Sequence, residues 1–146
     1  MKTRIVAILA LCCLVAVGAY TQARNAAEEA AARKPLEQYI QGHVTGKADV
    51  MRQAFHPSAR LQWMDNGKYV DRSLEDWLSG FRGTPANDEA QRKRRIVSVH
   101  VFGDSGFGVI ELDYPTVLII DYMALLKVNG EWKIVNKSFA RQPKNR

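Results

Sequence analysis

The chain has 146 residues, a formal net charge of +6, and 47% hydrophobic against 25% charged residues. That is one domain's worth of chain with enough apolar side chains to bury a core; disorder, collagen and coiled coil are excluded by composition. A mild basic excess with little interleaved aromatic surface argues against nucleic acid as a partner.

Met1-Lys2-Thr3-Arg4 is a short basic start, and Ile5 to Tyr20 carries no charge. The run is shorter than the roughly 20 residues of a membrane span. Thr21-Gln22-Ala23 then puts small residues at the −3 and −1 places of a cleavage after Ala23, with Val17-Gly18-Ala19 as an earlier alternative. This is the order of a secretory signal peptide, with an uncleaved N-terminal anchor as the alternative. The expected organisation is a signal segment over 1–23 and a single domain over 24–146, in the periplasm or the medium of a bacterium. Membrane contact is then limited to the signal segment before cleavage. Cys12 and Cys13, the two cysteines, both lie in the apolar run. A cut after Ala23 removes every thiol and, with Lys2 and Arg4, takes the charge to +4. No disulfide, thiol nucleophile or thiolate metal site is expected in the mature chain.

The Ala-, Glu- and Arg-rich stretch from Arg24 predicts a helix over roughly 25–45, kinked or restarted at Pro35, with Leu36, Tyr39, Ile40 and Val44 on its apolar side. A second short helix is predicted over 47–55, stopped by His56-Pro57. Leu61 and Trp63 alternate in a strand over 60–64, and Asn66-Gly67 turns the chain into a return strand over 68–72. Ser73 is placed to cap a third helix carrying Leu74, Trp77, Leu78 and Phe81. After a polar loop over 86–94, strands are predicted over 95–102, 107–114, 116–128 and 131–141. Helices first and turn-linked strands after give the α+β class, with a curved antiparallel sheet wrapped on three N-terminal helices.

Phe55-His56-Pro57-Ser58-Ala59 resembles the FHPxA of the putative lumazine-binding family, within the nuclear transport factor 2-like (cystatin-like) superfamily. The hairpin from Asp121-Tyr122 through Leu125-Leu126-Lys127-Val128-Asn129-Gly130-Glu131-Trp132-Lys133-Ile134-Val135-Asn136-Lys137 is similar to that family's DYxxLLKVxGxWKIVNK. The resemblance spans roughly 33–141 and implies a cone of sheet and helices with an open mouth. It also brings in the SnoaL-like isomerases and polyketide cyclases, whose ketosteroid-isomerase type holds its base on the first strand after the second helix. The matching place here is at or near Trp63, which cannot take a proton; Asp65 falls in the turn.

Inside such a cone, the spacing points Tyr39, Trp63, Trp77, Phe81, Tyr122 and Phe139 inward, as the lining of a site for a small apolar or aromatic molecule. His100, Glu111 and Asp113 on neighbouring strands are the acid–base candidates for an alternative isomerase, cyclase or dehydratase, oriented by Tyr39 or Tyr122. Asp121 shares the parity of Lys127, a side chain expected in water, and so is expected to face outward. His43, His56 and His100 show no metal-ligand spacing, and no metal or cofactor is expected. Gly103-Asp104-Ser105-Gly106 has turn chemistry rather than that of a protease. Arg92-Lys93-Arg94-Arg95 reads as a solvated basic loop entering a strand. The function expected is a non-enzymatic small-molecule-binding domain; a third reading is an interaction domain whose cone is plugged by Trp63, Trp77 and Phe139. Apolar residues on both faces of Val117–Val128 imply a homodimer through the outer sheet face, with Ile119 and Leu125 as its contacts.

Overall fold

A computed structural model describes residues 25–144; the expected signal segment lies outside the described residues. Among those described, no helix is long and apolar enough to cross a membrane. The first helix, α1, covers 25–45 and runs unbroken through Pro35. α2 (Ala48–Ala54) leads directly into β1 (Phe55–Asp65), which is longer than expected because His56 and Pro57 open the strand instead of a loop. β2 (Lys68–Ser73) returns across Asn66 and Gly67, whose φ values of 47° and 78° are those of the tight turn that this dipeptide favours. Ser73 caps α3 (Leu74–Leu78) by accepting a hydrogen bond from the Asp76 backbone N–H. A single 3-10 turn (Glu89–Gln91) precedes β3 (Lys93–Phe102), β4 (Ser105–Asp113), β5 (Val117–Val128) and β6 (Glu131–Pro143).

The six strands form one sheet in the order β2-β1-β6-β5-β4-β3. Every pairing is antiparallel except β1 with β6, which is parallel. That pair joins the early hairpin to the late meander, so helices and sheet share one core. Register shifts fall between Phe55 and Arg60, Ile96 and Ser98, and Ala124 and Leu125. Each extra residue bends its strand and increases the local twist, which curls the sheet around the helices.

Helix α1 presents Ala32, Leu36 and Tyr39 to the concave face at helical spacing, and all three are fully buried. Leu36 seats against Gly108, where any side chain on β4 would collide with it. At the other end of α1, the Glu28 carboxylate accepts bonds from Lys127 Nζ (2.7 and 2.9 Å) and Trp132 Nε1 (3.1 Å). The remaining core includes Met51, Phe55, Leu61, Leu74, Leu78, Ile110, Leu112, Met123, Leu125 and Ile134, with Asp121 and Lys137 as its buried charged pair.

Two placements differ from expectation. Ile119 packs on the core and Leu125 is buried within it, so neither belongs to the outer sheet face. The convex face carries Tyr122, Leu126, Phe107, Phe102, Met64 and Tyr69 instead, all exposed. The basic run 92–95 is split by strand alternation. Arg95 bonds Glu111 on the outer face, whereas Arg94 turns inward, doubly bonded to Glu89 and also donating to Tyr114 Oη.

Candidate functional site: the mouth and floor of the cone

The end of α1 and the segment after α3 are tied together by their backbones. The Gly83 N–H donates to the Gly46 carbonyl at 2.9 Å. Gly46 has a φ of 64°, and a Cβ there would lie 1.9 Å from the Thr84 carbonyl oxygen, so only glycine fits. This tie fixes segment 80–88 over the end of the cone. Between them lies an open cavity of about 480 Å³, lined by His43 of α1, by Gly46 just past its end, by residues of 80–88, and by Arg92. The volume is within the usual range for small-molecule sites.

His43 sits on the wall of this cavity. Its ring meets Tyr39 edge-on at 4.7 Å, with Phe81 at 5.9 Å and Trp77 at 6.0 Å. Its Nε2 is buried and has no hydrogen-bond partner; it is the only such side-chain atom among the described residues. Burial pushes the imidazole well below its ordinary pKa of 6.5, and Lys137, Arg94 and Arg92 push in the same direction. The ring is therefore neutral at neutral pH.

Behind His43 lies a closed polar triad. Tyr39 Oη donates to Asp121 Oδ2 at 2.6 Å, and Lys137 Nζ donates to Tyr39 Oη at 3.0 Å and to Asp121 Oδ1 at 3.2 Å. Tyr39 and Asp121 are fully buried and Lys137 is 4% exposed. The ammonium is boxed by aromatic faces, 4.4 Å from Phe139, 5.1 Å from Trp77 and 5.3 Å from Tyr39. Burial, followed by the Asp121 carboxyl, holds the Tyr39 phenol well above its ordinary value. Burial also lowers the Lys137 amine, and Asp121 works against that shift. None of the three triad residues lines the cavity.

Of the six aromatics expected inside, Tyr39, Trp77 and Phe81 gather around His43. Trp63 and Phe139 stack on one another at 5.0 Å and meet the group through Lys137. Tyr122 is a correction: it points out of the convex face and is 54% exposed, because its neighbours Asp121 and Met123 take the inward positions. His100, Glu111 and Asp113 are a second correction, since all three face away from the cone. His100 packs on exposed Phe107, Glu111 is held by Arg95, and Asp113 by Lys144. The hydrogen bonds from Arg95 lower the Glu111 carboxyl, the opposite of what a general base at neutral pH needs. Asp121 is a third correction: it faces inward because Lys127, its reference on the same strand side, also does and meets Glu28. His43 and Lys137 complete the interior chemistry and were not among the site residues expected from the sequence. No group of three or more His, Cys, Asp and Glu among the described residues is arranged to hold a metal ion.

A curved, unclosed sheet on three helices, with a cavity at one end, is the nuclear transport factor 2-like, or cystatin-like, fold. The structure is similar to an NTF2-like protein of unknown function from Shewanella baltica, with a TM-score of 0.73, 23% identity, and coverage of 82% of this chain and 97% of that one. It is also similar to a cystatin-like fold protein from Burkholderia xenovorans, with a TM-score of 0.60, 18% identity, and coverage of 80% and 92%. Within this fold the chain belongs to the family described as Putative lumazine-binding, which matches residues 27–140. A curated relative, Aldolase FrzH from a Cladobotryum species, is 18% identical over 106 residues, covering 73% of this chain and 85% of that protein.

Proposed function

We propose that the chain is an exported, non-enzymatic small-molecule-binding domain whose ligand occupies the cavity between the end of α1 and segment 80–88. The observation that carries this reading is the cavity of about 480 Å³ at the end of the cone, lined by His43, Phe81, Arg82 and Arg92 and held in shape by the Gly46–Gly83 tie. The family's description as lumazine-binding is in keeping with it. The test is a thermal-shift screen of small aromatic and heteroaromatic compounds, with hits located by crystal soaking. Stabilising compounds seated against His43 are the expected result. A screen without hits, or hits only on the outer sheet, overturns the reading.

One observation favours a second reading, catalysis: the Tyr39–Asp121–Lys137 triad places an amine, a carboxyl and a phenol within 3.2 Å of one another, and a distant relative is named as an aldolase. In that reading the neutral Lys137 amine adds to a carbonyl carbon and water leaves, giving an imine that borohydride reduces to a stable secondary amine. A mass adduct with acetaldehyde and borohydride, lost in Lys137→Met, is what catalysis predicts. Binding is the better supported because the triad is paired within itself and lies outside the cavity lining.

For the convex face the partner we propose is a second copy of the chain. Tyr122, Phe107, Phe102 and Leu126 form the exposed apolar surface that supports this.

A further inference from the structure

We infer that the molecule this cavity takes is a carboxylate on a small, flat, apolar body, with the carboxylate against the guanidinium groups of Arg82 and Arg92. The inference rests on the cavity being the binding site and adds the chemistry of its occupant. Arg82, Arg92 and Asp88 are the charged residues of the lining. Asp88 is already engaged, accepting from Arg92 Nε at 2.8 Å, and leaves the other N–H groups of that guanidinium unbonded to it. The Arg92 guanidinium lies over the Tyr114 ring, 4.3 Å from its centroid, which limits its direction. Arg82 makes no hydrogen bond or ion pair among the described residues, so the cavity carries a surplus of one positive charge.

The charges deeper in the cone do not alter this balance. Arg94 is matched by Glu89, and Lys137 by Asp121. His43 adds none, because its imidazole is neutral. A single unmatched positive charge suits a carboxylate, which carries one negative charge, better than a phosphate monoester, which carries nearly two. A forked guanidinium also fits the two oxygens of a carboxylate. Phe81, Pro85 and Ala86 supply the apolar side of the cavity.

Benzoate and its neutral analogue benzamide test the inference by amide-shift titration of the intact protein. Benzoate is expected to shift the amides of His43 and residues 80–88 and to bind at least about tenfold more tightly than benzamide, with the preference shrinking as salt is raised. Arg82 is exposed, so Arg82→Gln folds as the parent does. It is expected to weaken benzoate by about tenfold and benzamide by less than about twofold, with Arg82→Lys in between. Equal binding of the two probes within the cavity overturns the anion preference and leaves the cavity reading standing. Shifts confined to the outer sheet face overturn both. No benzoate binding in the millimolar range, or benzoate binding indifferent to Arg82→Gln, overturns the inference.

Discussion

Lys137 is the side chain whose burial most needs a partner. An ammonium withdrawn from water is tolerated only when paired, and Asp121, Tyr39 and the surrounding aromatic faces supply the pairing. Lys137→Met leaves the Asp121 carboxyl buried without its cation and is expected to cost about 3–5 kcal/mol by urea denaturation. Lys137→Met with Asp121→Leu removes both charges and is expected to recover much of that loss; a double variant as unstable as the sum of the singles contradicts the pairing account. His43 sets a pH dependence. Its folded pKa is depressed, so as pH falls through about 6.5 the unfolded chain takes up a proton that the folded chain refuses. Stability therefore falls with acidification until the lower folded value is passed, with a slope of at most about 1.4 kcal/mol per pH unit. His43→Phe is expected to flatten the curve of unfolding free energy between pH 7 and 5; a curve as steep as the parent's contradicts the assignment to His43. The position of His43 was readable from helical spacing, four residues past Tyr39, although the expected stripe of Leu36, Tyr39, Ile40 and Val44 left it out. That of Lys137 was not. Counting by twos from Trp132 and Ile134 puts Lys137 in water, and only the extra residue at Val135 turns it inward.

At the scale of elements, local chemistry fixed most boundaries. Asn66-Gly67 and Asn129-Gly130 both adopt positive φ at each residue and turn the chain where the sequence places its turns, although β1 begins five residues before its predicted start. The parallel pairing of β1 with β6 joins segments more than sixty residues apart and leaves no local signal. The inward turn of Lys127 was hidden for a similar reason: it depends on Glu28, 99 residues away in the chain. Gly46 is the element-scale hinge of the cavity. Gly46→Ala introduces both a disfavoured φ and a collision with the Thr84 carbonyl, and is expected to destabilise the fold by about 1–3 kcal/mol. It is also expected to loosen segment 80–88, seen as faster amide exchange at Gly83. Unchanged exchange there contradicts the tie as the device that shapes the mouth.

For the whole molecule, a curled sheet has two faces with different tasks. The concave face holds the core, the triad and the cavity. The convex face leaves Phe102 93% exposed, with Phe107, Tyr122 and Leu126 beside it. Tyr122→Glu and Phe107→Glu are expected to shift the proposed dimer to monomer in analytical ultracentrifugation without loss of fold, whereas Leu125→Glu disrupts the core itself. A dimer that survives both outer-face changes contradicts this interface. Native followed by denaturing mass spectrometry of the protein purified from its source cells tests the central claim most directly. The binding account predicts a small molecule that travels with the folded chain, is released on denaturation, and is missing from Ala86→Trp, whose ring fills the cavity. An empty wild-type chain, or a mass that Ala86→Trp retains, would contradict it.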